Sequence, residues 1–249
     1  AGARVLFEGR EALAALFNIS DSSRIIFTLN VTEALNLALL GLLKEGDHVI
    51  TSSMEHNSVM RPLRFLQGSR RVSLSIASCS DSGWLDPEQI KKAIRPNTRL
   101  IVLTHASNVT GTIMPIREIK NLAGEIPLLV DAAQTAGALP IDIEASGIDM
   151  LAFTGHKSLL GPTGVGGLYI SQGISLEPLK RGGTGSFSEH EEQPEFLPDK
   201  YESGTPNVIG IAGLIGGLKF IKQIGVGRIR EHEEELTRKL LEGLEETRG

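Results

Sequence analysis

A chain of 249 residues with 41% hydrophobic and 22% charged residues has the make-up of a soluble globular protein able to bury one large core or two small ones. A net charge of −5 without any basic cluster argues against a nucleic-acid binder. Cys79, the single cysteine, rules out an internal disulfide and fits a reducing cytoplasm. The opening AGARVLFEGREALAALF is an amphipathic pattern carrying Arg4, Glu8, Arg10 and Glu11, unlike a signal peptide. The longest mostly apolar stretch, VIGIAGLIGGLKFI, is too short to span a bilayer and contains Lys219.

The first strand is expected at RIIFT (24–28), followed by a helix over 32–44. HVIT (48–51) reads as a second strand, a helix pattern covers 57–66, and RVSLSI (71–76) reads as a third strand. Asp86 as N-cap, Pro87 at the first position and Gln89 three residues on mark the start of a helix. RLIVLT (99–104), PLLV (127–130), MLAFT (150–154) and GGLYI (166–170) complete the strands. Several are apolar throughout, as expected for strands covered on both faces. The alternation predicts an α/β fold, a mostly parallel sheet sandwiched by helices. Residues 181–207 form a long polar loop, the kind that is usually functional or disordered. The apolar stretch that follows reads as a buried helix, and a charged helix runs from Gly227 to the end. Ile229, Leu236, Leu240 and Leu244 make its apolar stripe, and Gly249 is its only C-cap candidate.

Lys157 stands in LAFTGHKSLLGPTGVGG, between an apolar strand and a glycine-rich loop. A nucleotide-binding loop requires the lysine directly after glycine, and here His156 intervenes. The glycines at 161, 164, 166 and 167 also miss the dinucleotide spacing. Asp131 ends another strand in PLLVDAAQTAG, at the carboxyl edge where ligands bind in open α/β sheets. Taken alone it reads as the N-cap of a following helix. Paired with Lys157 it gains a second meaning, because pyridoxal phosphate needs a lysine for its Schiff base and an anion to keep its ring nitrogen protonated. Gln134, three residues on, could reach the phenolic oxygen of that ring. His56 in SSMEHNSV lies just past a strand, either structural or stacked on the ring face. Val31 and Thr32 open a helix whose free N–H groups suit a phosphate, and Thr154 and His156 add side-chain donors. Asn108 in LTHASNVTGTI sits at a third carboxyl edge.

In order along the chain, VTEALNLAL, MEHNSVMRP, SNVTGTIMPI, VDAAQTAGALPIDI, FTGHKSLLGPTGVGGLYI and YESGTPN resemble the class V, fold-type I pyridoxal phosphate enzymes, most closely the cysteine desulfurase and selenocysteine lyase group. The resemblance implies the large cofactor-binding domain over residues 1–222. It implies a helix over 223–249 leading toward a small C-terminal domain that is absent here, along with a further N-terminal segment. By that resemblance Lys157 is the Schiff-base lysine, Asp131 the pyridinium partner and His56 the stacking residue. Asn108 and Gln134 would contact the phenolic side, while Val31, Thr32, Thr154 and His156 would hold the phosphate. Val31 replaces a frequent threonine, so only its backbone donor remains.

Thr205 resembles a threonine that reaches the phosphate of the neighbouring subunit, which implies a homodimer with shared sites, and Thr184 in RGGTGS lies in a related loop. The activity implied is removal of sulfur from L-cysteine to give alanine and a protein-bound persulfide that passes to an acceptor protein. The family carries the accepting cysteine and the arginine that grips the substrate carboxylate in its C-terminal domain, so these 249 residues are expected to bind the cofactor and turn over cysteine poorly. Another class V aminotransferase, a selenocysteine lyase, or a cofactor-binding scaffold without turnover remain alternatives. Cys79 is expected to be incidental. His105, His190 and His232 fit no metal-ligand spacing, and Glu233 to Glu235 read as a solvated helix face.

Overall fold

The computed structural model describes residues 2–186 and 189–247. Seven strands make one sheet: β1 (Ile25–Thr28), β2 (His48–Ser52), β3 (Ser73–Ala77), β4 (Thr98–Thr104), β5 (Leu128–Asp131), β6 (Met150–Thr154) and β7 (Gly166–Ile170). Their spatial order is β1-β7-β6-β5-β4-β2-β3. The pairs β2–β3, β2–β4, β4–β5 and β5–β6 are parallel. β7 runs antiparallel to both β6 and β1. Its reversal follows from the connection: residues 155–165 contain no helix, and a short link of this kind can only return the chain antiparallel.

Alternation along each strand sends neighbouring residues to opposite faces, and both faces of the central strands are buried, whereas the edge strand β3 is mostly half-buried. On one face Ile25, Ile50, Ile101, Leu103, Val130 and Phe153 pack with α1 (Gly2–Phe17), α4 (Pro87–Ala93), α5 (Ile116–Ala123) and α7 (Val208–Ile224), through Leu13, Phe17, Ile90, Ile119 and Leu214. On the other, Ile26, Val49, Leu100, Val102, Leu129 and Ala152 pack with α2 (Val31–Leu42) and α3 (Asn57–Ser69), through Leu35, Leu39, Val59, Leu63 and Leu66. Burial on both sides explains why these strands read as apolar runs. The remaining helices are the short α6 (Ile143–Ser146) and the terminal α8 (Val226–Glu246).

The helix expected over 32–44 begins one residue earlier and ends at Leu42, and the one expected over 57–66 continues to Ser69. The third strand starts at Ser73 rather than at Arg71, whose φ of 50° is incompatible with a strand. The loop over 181–207 carries no helix or strand among its described residues. It is moored by Tyr201, whose hydroxyl accepts from Leu176 N at 2.8 Å, and by Glu202, which takes Arg10 Nη2 at 2.5 and 2.6 Å and Phe27 N at 2.7 Å. Burial raises the Glu202 carboxyl above its ordinary range, with Arg10 opposing. At Gly225, with φ at 90°, the chain turns by 82° from α7 into α8, which contains no buried residue. The C-cap expected at Gly249 lies outside the described residues. No single helix among the described residues is long and apolar enough to cross a membrane.

Candidate active site

A cavity of about 310 Å³ opens at the carboxyl ends of β4, β5 and β6, between the starts of α2 and α3. That volume falls at the lower end of the range for small-molecule sites. Val31, Thr32, His56, Asn108, Asp131, Gln134, Thr154, His156 and Lys157 all line it, drawn from five separate stretches of chain.

The start of α2 is fixed by reciprocal capping. Asn30 Oδ1 accepts from Glu33 N at 3.0 Å, while the Glu33 carboxylate reaches back to Leu29 N at 2.6 Å. The N–H groups of Val31 and Thr32 have no intrahelical carbonyl within reach, so the positive end of the helix faces the cavity with two donors. Asn30 can cross the sheet here because Gly166 lies beneath it; a Cβ there would stand 2.7 Å from the Asn30 backbone.

His56 caps α3 with its own ring, Nδ1 accepting from Ser58 N at 3.1 Å. A nitrogen that accepts carries no hydrogen, so the neutral ring bears its proton on Nε2. Ser58 Oγ lies 2.9 Å from His56 Nδ1 and 2.9 Å from Thr32 Oγ1, which links the starts of the two helices.

Asp131 is 3% exposed, and its Oδ1 accepts from Ala133 N at 2.9 Å. No α-helix begins directly after it, so it secures a turn rather than an N-cap. Burial holds its carboxyl above the usual range, opposed by the Ala133 bond and the positive fields of Lys157 and His56. Lys157 follows β6 in a tight turn: Leu160 N donates to Lys157 O at 2.9 Å and Gly161 N to Gly155 O at 2.8 Å. Beside it, Thr154 Oγ1 and His156 Nδ1 are 3.0 Å apart. The turn after Asp131 packs directly on the lysine turn. At Gly137, with φ of 91°, an added Cβ would meet Ser158 O at 2.2 Å, so only glycine permits this approach.

Thr205 lies apart from this group, lining a separate cavity of about 80 Å³ with Glu33, Lys180 and Glu202. Thr184 lines neither cavity, its hydroxyl 3.1 Å from Ser186 Oγ. Cys79 is half-buried, its N donating to Ser53 Oγ at 3.0 Å, and it does not line the main cavity. His105 stands outside it, bonded through Nδ1 to Thr135 Oγ1 at 2.9 Å, and burial pushes it down to about 4. No metal-binding cluster occurs among the described residues.

Ser58, Thr104 and Glu55 escape the sequence reading. Ser58 and Thr104 line the cavity, and Glu55, immediately before His56, accepts from Thr104 N. A glutamate in a turn reads as solvated, and nothing local reveals that this one is enclosed.

A mostly parallel sheet with a cavity at its carboxyl edge, holding a lysine and a buried carboxylate, is the arrangement in which open α/β folds bind ligands. The aminotransferase class-V family matches residues 3–249, and the chain belongs to it. A probable cysteine desulfurase of Methanothermobacter thermautotrophicus is 38% identical over 95% of this chain and 60% of its own length. Another from Pyrococcus abyssi is 36% identical over 96% of this chain and 61% of its own. The apo structure of a cysteine desulfurase from Thermococcus onnurineus superposes with a TM-score of 0.91 at 34% identity, covering 98% of this chain and 63% of that one. The chain thus spans about 60% of the length of these curated relatives.

Enzymes of this family depend on pyridoxal phosphate, and the cavity's donor set fits that group. It offers one amine, one buried carboxylate, a helix N-terminus with adjacent hydroxyls for a phosphate, and the imidazoles of His56 and His156.

Proposed function

We propose that this chain is the cofactor-binding part of a pyridoxal phosphate-dependent cysteine desulfurase that takes sulfur from L-cysteine and leaves alanine. The observation that carries the reading is the meeting of Lys157 and Asp131 in a single cavity with the phosphate-ready start of α2. The names of the relatives support the substrate. So do two solved neighbours, one in complex with cysteine and one a cystine C–S lyase in complex with cysteine persulfide, at 33% and 28% identity with TM-scores of 0.77 and 0.82.

When bound, the cofactor supplies a ring that withdraws electrons from the substrate's α-carbon. Lys157 would hold the aldehyde end of the cofactor and is the amine placed to move the proton at the substrate's α-carbon. Asp131 would keep the proton on the ring nitrogen. His56 would form a wall for the ring and offer Nε2–H, while Asn108 and Gln134 would serve its phenolic oxygen. Val31, Thr32, Thr154 and His156 would hold the phosphate. Cys79 does not line the cavity, and in this reading it is not the thiol that accepts the sulfur, which would pass on to an acceptor protein.

Residues 1–222 serve as the large domain and α8 leads away from it. We place the protein in the cytoplasm as a homodimer in which Thr205 serves the partner's phosphate. Two exposed leucines, Leu29 and Leu179, border the Thr205 cavity, and Ile209 just beyond is 88% exposed, an apolar rim suited to a second copy. The test is alanine release from L-cysteine by the cofactor-loaded chain with an added thiol. Slow release is expected, abolished in Lys157→Ala and unchanged in Cys79→Ser. Release that survives Lys157→Ala, or that stops in Cys79→Ser, contradicts the assignment.

A further inference from the structure

The parallel ladder between β2 and β4 ends with Ile50 opposite Ile101, although β4 continues to Thr104. Here the chain's connections diverge. β2 leads through α3 outward to β3, and β4 leads through α5 to β5 on the other side. Such a switch point opens the crevice in which ligands of open α/β sheets settle. Alternation along β4 sends His105 N to Asp131 O at 2.9 Å, and Thr104 N the opposite way, toward β2, past the end of the ladder.

Side chains from the end of β2 cross the gap instead. Thr51 Oγ1 donates to Val102 O at 2.9 Å, and Glu55 Oε2 accepts from Thr104 N at 2.8 Å. Ser52 Oγ lies 2.6 Å from the other carboxyl oxygen of Glu55 and accepts from Met54 N at 3.2 Å. Glu55 therefore knots its own turn and moors it to β4. The next residue is His56, and the residue paired with Thr104 on the adjoining strand is Asp131.

We propose that Glu55 is a positioning residue whose carboxyl spans the ends of β2 and β4 and so fixes His56 relative to Asp131, the two groups that the cofactor ring must meet together. This rests on the pyridoxal phosphate reading above. Burial raises the carboxyl to about 8, the Ser52 and Thr104 bonds pull it down, and the charge of Asp131 on β5 adds to the rise, while β4 brings only the neutral Thr104. A carboxyl raised in this way is shifted toward its un-ionised form near neutral pH, which lessens the negative charge that the bridge places beside Asp131. An acid whose native value exceeds its unfolded value stabilises fully below the unfolded one, about 4.5, and loses that contribution as pH rises through about 8.

The test compares Glu55→Gln, Glu55→Asp and Glu55→Ala with the wild type, measuring pyridoxal phosphate affinity by absorbance titration and Tm between pH 5 and 9. Gln can still accept from Thr104 N and donate to Ser52 Oγ, so its affinity at pH 7 stays close to wild type and its Tm falls less on going from pH 5 to 9. Asp is one methylene too short to span both partners, and Asp and Ala are expected to weaken cofactor binding about tenfold or more, a loss of ~1.4 kcal/mol. Affinity within twofold of wild type in folded Glu55→Asp or Glu55→Ala, or equal pH dependence of Tm in Glu55→Gln, overturns the proposal. Should Ala fail to fold, Asp and Gln decide. If the wild type itself binds no pyridoxal phosphate, the cofactor reading falls and the proposal with it.

Discussion

Asp131 illustrates a conflict between stability and chemistry at a single residue. Its carboxylate is enclosed, and burial outweighs the Ala133 bond and the fields of Lys157 and His56, so its value stays raised. A raised acid gives its full stabilisation only below its unfolded value, and that contribution is lost as pH rises through the folded one. Above the unfolded value the raised acid therefore costs stability in the protein without cofactor, and a cationic ring nitrogen would offset that cost. Asp131→Asn keeps the acceptor for Ala133 N and removes the charge. We expect its Tm without cofactor, measured by calorimetry at neutral pH, to rise relative to wild type. Its pyridoxal phosphate affinity should fall about tenfold or more. A lowered Tm together with unchanged affinity would assign Asp131 a merely structural role.

Lys157 and Asp131 were legible because both close apolar strands and their flanking residues are distinctive. Glu55 was illegible because its burial depends on where β4 ends relative to β2, a property of strand register. The Nε2–H form of His56 likewise depends on its capping of α3, which only the folded turn reveals.

At the level of elements, the strands announced themselves through composition, while their directions did not. β7 has the same apolar look as β6, yet it runs opposite because the link between them is too short for a crossover. Helix ends were legible where a cap stands in the sequence, as at Asp86, whose side chain accepts from Glu88 N at 3.0 Å. They were less so at Leu42 and Ser69, where the capping is tertiary: Arg70 Nη1, just past α3, donates to Leu40 O and Leu43 O at the end of α2, at 2.7 and 3.1 Å.

α8 is a different kind of element. Its i,i+4 ion pairs, Arg230–Glu234, Lys239–Glu235 and Arg238–Glu242, are exposed, and each contributes about 0.3–0.5 kcal/mol. Leu236, Leu240, Leu241 and Leu244 are all more than half exposed. A helix held chiefly by its own hydrogen bonds opens at low free energy. In this chain taken alone, hydrogen exchange should be fastest over 232–246 and slowest over β4, β5 and β6. Protection of α8 comparable to that of β5 would show that the leucine stripe is covered in solution.

Considered whole, the molecule brings five distant stretches of sequence to one edge of a sheet, and two closely packed turns join the groups that matter most. Gly137 lets the Asp131 turn lie against Ser158, and Gly166 lets the start of α2 cross β7. The sheet supplies rigidity through two apolar layers, while the loop that carries Thr205 is held by the buried Arg10–Glu202 pair.

The account stands on Lys157 and Asp131 serving one cofactor in one cavity. Borohydride reduction of the protein loaded with pyridoxal phosphate, followed by peptide mass mapping, tests this directly. The expected result is a pyridoxyl group on Lys157 and none in Lys157→Ala. A label placed on another lysine with Lys157 unmodified, or no label on a protein that has taken up cofactor, would contradict it.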